Sequence, residues 1–208
     1  GILLLVLAFG WLLRGSVLFR TELVPAVNGA YYLIQSRSIL HTGWLAMPDF
    51  PLLFYIQAAL GFLISTLTTP ERASMMSVRI TDLLFPVLGA IPVYLYAQTF
   101  DPDKKNSFRT LWTILIAGLL AVGSGNLLRM VGDFQKNSFA LPPFLFFTYF
   151  LYESFRNPQW KHYFMALLFF TLVCLTHLGT ASITIAFATL FLLFYAFQKG
   201  DREKITAV

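Results

Sequence analysis

A few charged side chains interrupt this apolar sequence, and they are the residues that could carry chemistry. The carboxylates considered as candidates are Glu22, Asp49, Glu71 and Asp133, and a positioned carboxylate can take a proton from a reacting group. Asp133 is the strongest of these candidates because Arg129 and Lys136 flank it. Arg and Lys bind phosphate through charge-assisted hydrogen bonds. This pattern predicts proton abstraction close to a bound anion.

Each candidate also has an ordinary structural interpretation. Glu22 could be a solvated loop acid, and Asp49 could cap the helix that follows it. Arg129 and Lys136 could snorkel to lipid headgroups without any catalytic role. His177 breaks an apolar run, which favours a residue lining a cavity, but a helix-end histidine bonded to a backbone carbonyl fits equally well. The sequence leaves these alternatives open.

The composition is that of a membrane protein. Of the 208 residues, 57% are hydrophobic and only 12% are charged, whereas globular chains carry roughly 25% charged residues. One Cys, no His/Cys ligand spacing and no basic cluster denser than Lys104–Lys105 exclude a disulfide scaffold, a zinc module and a nucleic-acid partner. The net charge of +5 is then the excess of Lys and Arg typical of cytoplasmic loops.

Apolar stretches of spanning length predict an all-α, polytopic protein with about six transmembrane helices. They cover 2–19, 75–99, 110–128, 138–155, 162–176 and 178–197. Alternation with a period of two is absent, which excludes a barrel. The prolines inside these stretches predict kinks or first-turn positions, and they are Pro86, Pro92, Pro142 and Pro143.

Two charges fall inside the predicted spans. Arg14 lies two-thirds of the way along the first span, where it is expected to snorkel or to bind a neighbouring helix. Asp82 lies just inside the second span. We expect no paired charges within the membrane and see no inverted repeat, which disfavours a transporter.

The stretch 51–68 is long enough to cross the membrane, yet Pro48-Asp-Phe-Pro51 opens it and a hydroxyl-rich segment closes it. Eight of the 15 Lys and Arg residues lie in three short loops that any topology places on one side, the expected cytoplasm. They are Lys104, Lys105, Arg109, Arg156, Lys161, Lys199, Arg202 and Lys204. Charge counting alone leans weakly toward a crossing by 51–68.

The connection 20–50 is the one long polar segment between predicted spans. Within it, Tyr31–Leu40 predicts a short helix whose polar residues are bunched together. Such a helix could lie in the membrane interface with its two tyrosines at headgroup depth, or it could be an ordinary surface helix.

The order of these features resembles that of the C-type membrane glycosyltransferases, a superfamily that includes oligosaccharyltransferases, protein mannosyltransferases and aminoarabinose transferases. The resemblance covers nearly the whole chain, and it rests on the order and spacing of several short elements. These elements are Asn28-Gly-Ala-Tyr-Tyr through His41-Thr-Gly43, Pro51-Leu-Leu-Phe-Tyr55, Ser77-Val-Arg-Ile, Asp101-Pro-Asp-Lys-Lys, Arg129-Met-Val-Gly-Asp-Phe-Gln-Lys-Asn137 and Thr176-His-Leu-Gly-Thr180.

The resemblance implies an arrangement of the chain. Residues 1–208 form one transmembrane domain, the N-terminal part of a longer polypeptide in a bacterial or archaeal plasma membrane. Residues 20–72 form an external loop with juxtamembrane helices, and 128–137 form a second external loop. The stretch 51–68 does not cross, so both loops face one outward cavity.

The resemblance also implies transfer of a sugar from a polyprenyl-phosphate donor at the outer face of the membrane. It makes Asp133 and Glu22 the candidate catalytic acids. The candidate substrate-binding residues are Arg129, Lys136, His177, Asp49 and Asn28. The expected partners are membrane lipid and the lipid-linked sugar, with membrane proteins as further partners if the chain belongs to a complex.

One departure from the family bears directly on catalysis. Asn28 stands where the family commonly has an Asp, and a neutral amide is neither a general base nor a good ligand for a hard cation. A divalent metal is therefore a doubtful cofactor here. The alternative interpretation, a structural or accessory subunit that keeps this fold without catalysis, is favoured by the same departure.

Overall fold

The computed structural model describes residues 1–25, 27–100 and 107–206, and all regular secondary structure within those ranges is helical. The all-α prediction is confirmed for this part of the chain. The helices are α1 (Ile2–Leu18), α2 (Gly29–Thr42), α3 (Leu52–Ser65), α4 (Pro70–Leu84), α5 (Ala90–Phe100), α6 (Ser107–Gly123), α7 (Gly125–Arg129), α8 (Gln135–Arg156), α9 (Trp160–Cys174) and α10 (Leu178–Thr206), with a 3-10 turn at Pro86–Gly89.

Three helical stretches in the described residues are long and apolar enough to cross a membrane: Pro70–Thr99, Leu111–Arg129 and Leu178–Gln198. They coincide with three of the six predicted spans. The other three predicted spans fall on α1, α8 and α9. The structure therefore supports a membrane protein with several apolar helices, and the six-span topology stays a prediction.

Local sequence signals set the ends of the helices that lead to the site. The hydroxyl of Thr69 accepts from the backbone N–H of Arg72, and Pro70 occupies the first turn of α4, where its missing N–H costs nothing. Gly43 ends α2 with φ of 80°, a left-handed conformation that glycine adopts without strain. The predicted helix Tyr31–Leu40 is confirmed and lies within α2.

The prolines behave as predicted at two positions. Pro86 begins the 3-10 turn that interrupts the helix between α4 and α5, and Pro92 lies in the first turn of α5. Pro142 and Pro143 lie inside α8, where each removes a backbone donor from the helix.

The apolar core has two parts. One joins α2, α3, α4 and α8, and its buried members include Tyr32, Leu53, Phe54, Val78 and Phe139. The other joins α1, the 3-10 turn, α5 and α6, and it is built from Val6, Leu7, Val87, Ala90 and Val122. The first part lies beneath the segments that carry most of the candidate residues.

A buried ion pair crosses the bundle. Nη2 of Arg14 on α1 lies 2.5 Å from Oδ1 of Asp82 on α4, and both side chains are almost fully buried. The expectation that the spans lack paired charges is therefore wrong, and of the two roles expected for Arg14, binding to a neighbouring helix is the correct one. The pairing has a physical reason, because an isolated charge among apolar helices would cost far more than a paired one.

Candidate functional site

Three segments that are distant in sequence meet at one end of the helix bundle. The backbone N–H of Asn28 donates to Oδ1 of Asp133 over 2.9 Å, and Nζ of Lys136 lies 2.6 Å from Oδ2 of Asp49. These two contacts join the first connection, 20–50, to the segment 130–136, which contains the second connection and the start of α8. The backbone N–H of Leu52 donates to the carbonyl of Leu175 over 3.1 Å, which brings in the turn 175–177. We call Asn28, Asp49, Asp133, Lys136 and His177 the three-segment site.

Asp49 is held by donors from three parts of the chain. Its carboxylate accepts from the Tyr31 hydroxyl, from Lys136 and from the Phe50 backbone N–H at 2.7 Å. Pro51 occupies the N-cap position of α3, and no side chain caps that helix; the capping interpretation of Asp49 is therefore wrong. Burial by itself would raise the pKa of Asp49, but the hydrogen bonds from Lys136 and Tyr31 outweigh it and lower that pKa.

Lys136 is the cation of the site. It is the second residue of α8, its side chain is 17% exposed, and its Nζ lies 5.8 Å and 5.9 Å from the ring centroids of Tyr31 and Phe54. Asp49 is the one hydrogen-bond acceptor for this ammonium group among the described residues. Since a lysine has three N–H donors, two remain for an anionic ligand or water.

The polar residues of α2 support this ion pair. Gln35 is fully buried and donates to the Tyr31 hydroxyl over 3.1 Å and to the Met47 carbonyl over 2.9 Å. The Met47 N–H donates back to the Gln35 side chain over 3.2 Å. Gln35 thus fixes both the phenol that bonds Asp49 and the backbone two residues before Asp49. Burial raises the pKa of Tyr31, which keeps this phenol a donor.

Asp133 is held mainly through backbone groups. Its carboxylate accepts from the N–H of Asn28, and its carbonyl accepts from the Tyr32 hydroxyl over 3.2 Å. Burial raises the pKa of Tyr32 to about 12. Asn28 therefore contributes its backbone to the site, and its side chain is exposed. One carboxylate oxygen of Asp133 has no hydrogen-bond donor in the described part of the protein.

His177 caps a helix and lies within electrostatic range of the ion pair. Its Nδ1 accepts from the backbone N–H of Thr180 over 3.2 Å, at the start of α10. The interpretation as a histidine bonded to a backbone carbonyl is therefore wrong. Burial and the nearby charge of Lys136 lower the pKa of His177, and Asp49 opposes this shift. A neutral imidazole results, with Nδ1 bonded and Nε2 carrying the proton.

Two predicted site residues do not join this group. Glu22 and Arg129 are exposed, and neither forms an ion pair with any residue that the structure describes. Their catalytic and phosphate-binding roles stay predictions. The predicted cytoplasmic residues Lys104 and Lys105 lie outside the described residues.

The side chains that could ligate a metal at this site do not fit a divalent metal ion. The Asp133 carboxylate accepts a hydrogen bond from the backbone N–H of Asn28, and the Asp49 carboxylate forms an ion pair with Lys136. Among the described residues, no three His, Cys, Asp or Glu side chains lie close enough together to hold a metal.

Sequence reasoning missed several residues that shape the site. Tyr31 and Gln35 lay in a helix already predicted, but nothing in their spacing pairs them with Asp49, 14 or more residues away. Arg14 and Asp82 did give a signal, because two opposite charges inside predicted spans favour a pair.

Comparison of the chain with protein-family models, with curated proteins and with solved structures found no match. The case for a function therefore rests on the geometry of the three-segment site and on the motifs of the sequence.

Proposed function

We propose that this chain is a membrane glycosyltransferase-like protein that transfers a sugar from a polyprenyl-phosphate donor at the outer face of the membrane. The observation that carries this proposal is the meeting of Asp133, the Asp49–Lys136 ion pair and His177 at one end of the bundle. Such a transfer needs a carboxylate to take the proton of the acceptor and a cation to stabilise the departing phosphate, and Asp133 and Lys136 are groups of these two kinds.

The proposed topology has six spans, with α3 outside the membrane core. The first and second connections contact one another directly through Asn28 and Asp133, so both lie at the same end of the bundle. An odd number of membrane crossings between the two connections would place them on opposite sides of the membrane.

In the proposed reaction, Asp133 accepts the proton of an acceptor hydroxyl. At the same time the oxygen of that hydroxyl bonds to the anomeric carbon of the sugar. The bond between that carbon and the phosphate oxygen breaks, and the lipid phosphate leaves with the electron pair. Lys136 stabilises the developing charge on the phosphate, and His177 can donate to it through Nε2. The exposed apolar faces of α9 and α10 offer a surface along which the polyprenyl chain can lie.

A second candidate is a non-catalytic subunit that keeps this fold. The observation that favours it is the Asp49–Lys136 pair itself, since Asp49 already neutralises the cation that a phosphate would need. In that case the pair is purely structural and joins the first connection to α8.

Mass spectrometry of the protein purified with its native lipids distinguishes these two candidates. The proposed function predicts a co-purifying polyprenyl phosphate or its sugar conjugate, and transfer to an acceptor that Asp133→Asn lowers by orders of magnitude. Glu22→Gln tests the second predicted acid, and Glu71→Gln, at another exposed acid, is the control. A stoichiometric complex with other membrane proteins that contains no such lipid would favour the structural subunit.

A further inference from the structure

We infer that Asp82 is a positioning residue for the three-segment site: its buried carboxylate fixes Gly132, and through Gly132 it sets the place of Asp133 against the first connection. Its relevance to sugar transfer rests on the proposed function, whereas the positioning itself does not.

The two oxygens of Asp82 have different partners. Oδ1 pairs with Nη2 of Arg14 at 2.5 Å, and Oδ2 accepts from the backbone N–H of Gly132 at 2.7 Å. Arg14 also donates from Nε to the Asp82 carbonyl at 2.9 Å and from Nη1 to the Leu127 carbonyl at 3.2 Å. The pair therefore binds both ends of the segment 127–132, which leads directly into the site.

Gly132 transmits this anchoring to the first connection. Its φ is 78°, a conformation that residues with a side chain rarely adopt. A Cβ at this position would lie 2.3 Å from the carbonyl oxygen of Pro25, so the backbone at 132 rests directly on the first connection. The next residue, Asp133, bonds Asn28, three residues after Pro25. A shift of Gly132 would displace both partners of that bond.

Stability alone does not explain this arrangement. A buried ion pair gains little over well-packed apolar side chains of similar volume, because both charges must be desolvated. What an apolar pair cannot supply is an acceptor for the Gly132 N–H. A test must therefore measure the thermal stability of the bundle and the order of the segment 127–133 independently of one another.

Hydrogen exchange followed by mass spectrometry makes this separation. In the unmodified protein, peptides covering 128–136 should exchange as slowly as those of α8. Asp82→Asn should raise exchange by about tenfold or more in peptides covering 27–32 and 128–136, and leave α9 unchanged. The double variant Arg14→Met with Asp82→Leu removes both charges, so it should recover the thermal stability but not the slow exchange of these two segments.

Three results would overturn the inference. They are fast exchange of 128–136 in the unmodified protein, a uniform rise across all helices in Asp82→Asn, and full recovery of slow exchange in the double variant. The exchange rate of 128–136 in the unmodified protein tests the inference even if Asp82→Asn does not fold. If Asp82→Asn speeds exchange in these two segments but the unmodified protein binds no polyprenyl phosphate, the positioning role is supported and the proposed function is refuted.

Discussion

At the scale of single residues, the Asp49–Lys136 pair shows how a sequence candidate becomes a site. Both residues could be chosen by type, since one is a carboxylate and the other a cation beside apolar runs. Their pairing could not be predicted, because it depends on Tyr31 of α2, Phe54 of α3 and Lys136 of α8 meeting in the folded chain. Nor did the sequence indicate that Gln35 would hold Tyr31 against the carboxylate. These contacts are tertiary and leave no local pattern.

The lowered pKa of Asp49 gives a prediction about acid stability. A carboxyl whose folded pKa is below its unfolded value of about 3.9 stabilises the fold above that pH, and this contribution is lost as pH falls through the folded pKa. Replacing Lys136 by Met removes the main donor that lowers this pKa. The unmodified protein should therefore exceed Lys136→Met in stability by about 1–3 kcal/mol at pH 7, and the gap should narrow below pH 4.

Thermal unfolding in detergent at pH 7 and at pH 3 measures this gap. Lys161→Met, which changes an exposed lysine at the start of α9, is the matched control and should shift stability little at either pH. An equal gap at both pH values would show that Lys136 stabilises the fold by packing and not by its charge.

At the scale of the helices, hydropathy predicted the helical architecture of the described residues and the three stretches that are long and apolar enough to cross a membrane. The helix within 20–50 and the break at Pro86 were predicted from local sequence, whereas the end of that helix at Gly43 was found in the structure. Close approach between helices could not be predicted in the same way. Gly10 and Gly118 look like any other glycines in an apolar run, yet a Cβ on Gly118 would lie 2.9 Å from Val6. Small residues let helices approach closely in membranes, and only the structure shows which glycines do so.

Gly10→Ala tests this packing. The added Cβ would lie 2.8 Å from Val87 and 2.9 Å from Val122, so the helices must separate. We expect a loss of about 1–3 kcal/mol, typical of overpacking, despite the higher helix propensity of alanine. Gly125→Ala is the control, because nothing lies within 4 Å of its added Cβ. Equal unfolding temperatures for both variants in detergent would contradict a tight contact among α1, the 3-10 turn and α6.

At the scale of the whole molecule, two signals in the sequence disagree about the topology. Counting positive charges leaned toward a crossing by 51–68, and only the resemblance to C-type glycosyltransferases favoured the opposite. The contact between Asn28 and Asp133 gives an independent physical reason for the second arrangement, because it holds both connections at one end. Neither hydropathy nor charge carries this information, since both describe segments one at a time.

Single cysteines test the topology in a Cys174→Ser background. His41→Cys lies at the end of α2, and Gln159→Cys lies between α8 and α9; both positions are exposed. The proposed arrangement predicts that a membrane-impermeant thiol reagent labels the first from outside the cell and the second only after the membrane is opened. Labelling of both from the same side would refute the six-span topology.

The most direct test of the central claim is the affinity of the purified protein for a polyprenyl phosphate in detergent or nanodiscs. Lys136→Gln removes the cation of the three-segment site, and it should weaken binding by about 1.5–3 kcal/mol, the value of a charge-assisted hydrogen bond, which is roughly ten- to hundredfold in Kd. Lys161→Gln removes an exposed lysine at the start of α9 and should leave Kd unchanged. Equal losses from the two substitutions, or no saturable binding by the unmodified protein, would contradict a lipid-phosphate site at Lys136.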